Sequence, residues 1–172
     1  LKQLHHPYLP QVYDFVQKEN EVFTVMDYIQ GKDLGYFIQN EIRPEEKEIF
    51  LWLKQLCEVL VYLHSRKPVI IHNDIKPQNI ILRPEGSVCL VDFNVSFDKE
   101  NKIIYGYSKR YASPELIQSA LACQEGKGKD AIQIDERSDI YSLGATMYHL
   151  ISGVKSMTGN DLPDLRSMDL PY

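Results

Sequence analysis

The sequence predicts an α+β domain in which a β-hairpin leads into a mainly helical body, and three observations carry that prediction. Residues 12–16 (VYDFV) and 22–26 (VFTVM) are β-branched and aromatic runs separated by five polar residues, the pattern of two antiparallel strands. Ile49, Leu53, Leu56, Leu60 and Leu63 recur at spacings of four, three, four and three, which lines one face of a long helix. Between 69 and 92 the apolar residues come instead as bursts of three or four separated by polar stretches, which predicts short strands bracketing loops.

Taken in chain order, the hairpin has its loop at 17–21. The long helix runs from Pro44 to Arg66, with proline near its start and Glu45, Glu46 and Glu48 in its first turn, where the dipole favours negative charge. Strands follow at 69–71, 80–82 and 88–91, the last two joined through the turn signal Arg83-Pro84-Glu85-Gly86. Residues 93–137 are mostly polar and read as irregular, with a surface loop around Gly126 and Gly128. A second amphipathic helix starts at Ser138, read as its N-cap, and stops at Gly153.

Composition narrows the function classes. With 44% apolar and 25% charged residues over 172 positions, the chain has the make-up of one globular domain. A formal net charge of −5 offers no general attraction for phosphate backbones or anionic lipid, so neither nucleic-acid nor membrane-surface binding is expected. Apolar stretches such as 69–71 fall far short of a membrane span, which takes roughly 20 residues, and no leader opens the chain, so a cytoplasmic location is expected. Cys57, Cys89 and Cys123 are widely spaced and odd in number, which predicts reduced thiols packed in the core. The opening at Leu1 with apolar residues at once in play suggests a piece of a longer protein.

The chemistry concentrates in His72-Asn73-Asp74-Ile75-Lys76-Pro77-Gln78-Asn79, followed thirteen residues later by Asp92 in Val91-Asp92-Phe93-Asn94. Each residue alone is ordinary for a polar loop. Together they supply a carboxylate to take a hydroxyl proton, a cation for a migrating phosphate and oxygen ligands for magnesium, the inventory of phosphoryl transfer.

These motifs resemble those of the eukaryotic-type protein kinase family, whose catalytic loop reads H-R-D-x-K-x-x-N and whose metal loop reads D-F-G. Leu4-His5-His6-Pro7 resembles the stretch before the family's fourth strand, and Val25-Met26-Asp27-Tyr28-Ile29 its fifth strand and hinge. Residues 108–115 (SKRYASPE) resemble the end of the activation segment and 139–144 (DIYSLG) the start of the F helix, so the ordered matches span about 140 residues. The run 135–144 looks most like bacterial members.

The resemblance implies a kinase fold, with residues 1–26 ending the small lobe, 27–33 forming the hinge and 34–172 an incomplete large lobe, the domain being truncated at both ends. It implies a serine/threonine kinase that uses ATP and Mg2+ and acts on a protein substrate. Asp74 would be the catalytic base, Lys76 would neutralise the γ-phosphate, and Asn79 and Asp92 would hold the metal. Met26 would stand as gatekeeper beside adenine, the backbones of Asp27 and Ile29 would bond the base, and Asp33 would contact ribose. Lys76 and the hydroxyl of Ser108 favour the serine/threonine branch over tyrosine. His72 and Phe93 would pack with Val12 in the column that couples the lobes, Asp139 would hold the catalytic-loop backbone, and Glu115 would pair with an arginine beyond the chain. Tyr105, Tyr107, Ser108 and Tyr111 are candidate modification sites.

Departures from the family pattern open two alternatives. Asn73 stands where arginine is usual, removing the cation that grips a phosphorylated activation loop, and Asn94 replaces the glycine of D-F-G, a change asparagine tolerates at positive φ. Ser113 replaces an alanine, with little consequence expected. The Gly-rich loop, the ATP-contacting lysine and its glutamate partner would all precede Leu1, so the isolated chain is expected to be inactive. A pseudokinase or regulatory scaffold of the same fold is therefore one alternative. A small-molecule phosphotransferase sharing H-x-D-x-x-x-x-N is another, against which Lys76 and Ser113-Pro114-Glu115 argue.

Overall fold

In a computed structural model of the chain, residues 1–19, 21–92, 96–97, 103–104, 108–124 and 134–152 are described. Phe93, Asn94, Tyr105, Tyr107, Gly126, Gly128 and Gly153, on which expectations were placed above, lie outside them.

The hairpin pairs β1 (Val12–Lys18) with β2 (Glu21–Met26) antiparallel. Its strands run further than the sequence suggests, because Lys18 sits opposite Glu21 and Gln17 opposite Val22, so three residues assigned to the loop join the ladder. Opposite charges across a pair favour that extension. Only Val12 of β1 is buried, whereas Tyr13, Phe15, Val22 and Phe23 are exposed.

The segment after β2 leads into β3 (Lys32–Asp33), which pairs with β4 (Ile80–Leu82), itself paired with β5 (Val88–Leu90). Gly31 sits at φ 152, and a Cβ there would lie 2.1 Å from the carbonyl oxygen of Leu82, so the close approach of β3 to β4 requires glycine. Helix α1 (Leu34–Gln39) follows directly, capped by the Asp33 side chain, which accepts from the N–H of Tyr36. Neither β3 nor α1 is apparent in the sequence, being too short to show a period.

Helix α2 (Glu46–His64) bears out the long amphipathic helix, with Trp52, Leu56, Val59, Leu60 and Leu63 buried. The Glu48 carboxylate reaches back to the N–H of Glu45, and Pro44 precedes this cap. The Trp52 indole N–H donates to the carbonyl of Gly86, pinning the β4–β5 turn to α2. Residues 69–71 form no strand: the Ile70 N–H bonds the Leu63 carbonyl at the end of α2, and the N–H groups of His72 and Asn73 just beyond are taken by a side chain described below.

The segment read as irregular contains two short strands, β6 (Ser96–Phe97) and β7 (Ile103–Ile104), and helix α3 (Pro114–Gln124). Helix α3 starts on proline and buries Leu116 and Ala120, four residues apart. Helix α4 (Arg137–Ser152) starts before Ser138, which is inside it rather than its N-cap. The core gathers α1, α2, the β4–β5 pair and α4 around Leu34, Leu60, Ile80, Leu90, Leu143 and Leu150. Of the thiols only Cys89 is buried, correcting the expectation for Cys57 and Cys123, which are exposed because α2 and α3 turn those faces outward.

Candidate active site

Asp139, at the N-terminal end of α4, organises the polar loop that precedes β4. Its carboxylate is fully buried and accepts the N–H groups of His72 and Asn73, each at 2.9 Å, and the Nε2–H of His64, also at 2.9 Å. The backbone at 72–73 is thereby held on a side chain instead of in a sheet. Asn73 adopts φ 65, a left-handed conformation that asparagine tolerates better than most residues.

His72 is also fully buried, and its Nε2 faces the Val91 carbonyl at 3.1 Å. A carbonyl only accepts, so Nε2 carries the proton. Burial pushes the His72 pKa below its ordinary value, against the pull of Asp139, so the ring is neutral and structural, linking the loop to the strand end that carries Asp92.

Asp74 is nearly buried, and its two carboxylate oxygens differ. Oδ2 accepts from Lys76 Nζ at 2.7 Å and from Asn79 Nδ2 at 3.0 Å. Oδ1 is buried with no hydrogen-bond partner among the described residues. Lys76 Nζ donates in addition to the Ser108 hydroxyl at 2.9 Å, bringing the segment before α3 against the loop. Asn79, in the 3-10 turn Pro77–Asn79, donates through Nδ2 to the Asp74 carbonyl as well, so its Oδ1 is the oxygen left to act as a ligand. The Val91 N–H bonds the Asn79 carbonyl at 2.9 Å, which sets Asp92 next to Asn79. Asp92 is exposed and turns away from β5 at φ 59.

Asp74, Lys76, Asn79 and Ser108 thus form one hydrogen-bonded group, with Asp92 beside it. Asp33 arrives through the register Asp33 to Ile81, with one carboxylate oxygen committed to its helix cap. Met26 is half-buried opposite Val12, and Asp27 and Ile29 follow in the connecting segment. Asn79 and Asp92 give an amide oxygen and a carboxylate on adjoining backbone, a donor set suited to magnesium, which takes few protein ligands alongside phosphates and water. The orphaned Oδ1 of Asp74 adds an acceptor facing the same loop.

Three contacts escape sequence reasoning. His64 meets Asp139 from 75 positions away, and no local spacing announces it. Ser113 is fully buried, shares a hydrogen bond with Ser138 at 2.8 Å and accepts from the Leu116 N–H, so the replacement of alanine has a structural role. A buried pair, Tyr111 Oη and His149 Nδ1 at 2.7 Å, ties the same segment to α4.

The family model for the protein kinase domain matches residues 1–169. Among curated proteins, the chain is 31% identical over 161 residues to the serine/threonine-protein kinase cds1 of Schizosaccharomyces pombe, a match covering 88% of this chain and 32% of that protein. It is 30% identical over 152 residues to Aurora kinase A-B of Xenopus laevis, covering 87% of this chain and 34% of the relative. The chain spans about a third of the length of these relatives. A match over nearly all of the sequence, joined to a polar loop folded around Asp74, Lys76 and Asn79, means that this chain belongs to the protein kinase domain family.

Proposed function

We propose that the protein containing this chain is an active serine/threonine kinase that transfers the γ-phosphoryl group of ATP to a protein hydroxyl. On this reading residues 1–26 end the small lobe, 27–33 form the hinge and 34–172 belong to the large lobe. The observation that carries it is the asymmetry of Asp74: Oδ2 is held by Lys76 and Asn79, while Oδ1 is buried with no partner among the described residues, an acceptor awaiting a donor. A buried acceptor left unpaired costs about 1–3 kcal/mol, and a substrate hydroxyl would supply the missing proton donor.

Asp74 Oδ1 accepts that proton as the substrate oxygen forms its bond to the γ-phosphorus and the bond to the β–γ bridging oxygen breaks, releasing ADP. Lys76, fixed between Asp74 and Ser108, places its positive charge beside the migrating group. Asn79 Oδ1 and the Asp92 carboxylate would hold magnesium, which neutralises phosphate charge when bound. Met26 would border the adenine, the Asp27 carbonyl and Ile29 N–H would bond it, and the free oxygen of Asp33 would meet the ribose. The serine/threonine relatives and the Lys76–Ser108 contact support hydroxyls of serine or threonine as acceptors.

A scaffold reading is motivated by Asn73 and Asn94, which stand where the family has arginine and glycine. Phosphate transfer from Mg-ATP to a generic protein acceptor by the full-length protein, beside Asp74→Asn, separates the two. Transfer that falls by two orders of magnitude or more in the variant is the result expected. ATP binding without transfer by the wild type would establish the scaffold instead.

A further inference from the structure

The segment between β2 and β3 is not simply a tether. The Asp27 N–H donates to the Gln11 carbonyl at 3.0 Å, the Gln11 N–H donates to Asp27 Oδ2 at 2.9 Å, and the Tyr13 hydroxyl donates to Asp27 Oδ1 at 2.7 Å. Three of the four hydrogen-bonding functions of Asp27 are therefore committed to the start of β1. The fourth is its carbonyl, the group that the kinase reading turns toward adenine.

The three bonds do different work. The reciprocal pair between Asp27 and Gln11 continues the hairpin one step past the last paired residue, Met26. The carboxylate adds a bond that a hairpin of neutral residues would lack, because the Tyr13 hydroxyl reaches across from the outer face of β1. With both oxygens engaged from different directions, the side chain cannot rotate without losing a charge-assisted bond. Rotation of the Asp27 backbone would carry the side chain away from both donors, so the peptide leaving Asp27 is constrained as well. Tyr13 is 59% exposed, and no packing contact is given up when its hydroxyl alone is removed.

We infer that Tyr13 and the Asp27 carboxylate form a latch that fixes the orientation of the 27–29 backbone and so sets nucleotide affinity, making both side chains positioning groups for the bound base. The inference rests on the kinase reading above. Pre-forming a binding backbone raises affinity by reducing the ordering that binding must impose. Loss of the latch acts on nucleotide binding and leaves Asp74, Lys76 and Asn79 as they are.

The test uses the full-length protein and its variants Tyr13→Phe and Asp27→Asn, assayed well below their melting temperatures. Tyr13→Phe is expected to raise KM for ATP and Kd for ADP about three- to tenfold, the effect of one hydrogen bond to a charged group near the surface, with kcat at saturating ATP within twofold. Asp27→Asn should have a smaller effect in the same direction, since its amide still accepts from the Gln11 N–H and donates to the Tyr13 oxygen but carries no charge. In the double variant the effects should fall short of their product, because both act on the same bond. Faster hydrogen exchange at 27–29 in the nucleotide-free Tyr13→Phe protein is the accompanying signature. KM for ATP unchanged in Tyr13→Phe, or kcat falling as much as KM rises, overturns the latch while the kinase stands. Absence of nucleotide binding by the wild type overturns the kinase reading and the latch with it.

Discussion

Asp139 has no exposed surface, yet its carboxylate receives three donors from two separate stretches of chain. Replacing it by asparagine points an amide N–H2 at one of the two backbone N–H groups, which can only donate, and leaves that buried group unsatisfied. Asp139→Asn is therefore expected to lower stability by about 3 kcal/mol, read from urea denaturation. His72 gives a pH signature. Its folded pKa lies below the ordinary value, so as pH falls through about 6.5 the unfolded chain takes up a proton that the native state refuses. Stability is then fully present above that pH and declines toward the lower folded pKa. Denaturation midpoints at pH 8, 7 and 6 should fall in that order, and a neutral replacement that retains the fold should flatten the trend above the carboxylate range. His6, also lowered by burial, contributes in the same direction, so His72→Gln alone should remove only part of the slope.

At the scale of elements, legibility followed length and period. Helix α2 was readable because nineteen residues repeat its apolar face five times, and β4 and β5 because their apolar bursts are bounded by a turn. Residues 69–71 look no different from those strands in composition. They form no strand because Ile70 bonds the Leu63 carbonyl at the end of α2 and the residues that follow, His72 and Asn73, bond the Asp139 carboxylate, a partner remote in sequence. Helix α3 was lost among polar residues, although Pro114 and the pair Leu116 and Ala120 carry a helical start and spacing. The candidate site was legible as a cluster, since Asp74, Lys76 and Asn79 lie within six residues, but the partition of the two Asp74 oxygens was not. Where β3 meets β4, Gly31→Ala should cost about 1–3 kcal/mol, because the new Cβ meets backbone rather than a side chain that could move. A melting curve of the variant checks this, and a neutral result would mean that β3 separates from β4 at little cost.

Over the whole molecule, burial is uneven. The core lies among α1, α2, the β4–β5 pair and α4, whereas most of β1 and β2 faces outward. Among the described residues, no helix is long and apolar enough to cross a membrane. Local opening follows local burial, so in this chain alone the amides of β1 and β2 should exchange at least tenfold faster than those at the centres of α2 and α4, as hydrogen–deuterium exchange would measure. Equal protection would mean that hairpin and core unfold as one unit.

That unevenness gives the chain a built-in optical reporter. Its single tryptophan, Trp52, is 1% exposed and hydrogen-bonded to the β4–β5 turn, at the junction of the long helix with the strands that follow the polar loop. Emission from this indole should shift when the junction admits water, whereas opening confined to the exposed hairpin should leave it unchanged. Fluorescence and exchange recorded on one sample would therefore time the two events separately, without any label attached to the protein.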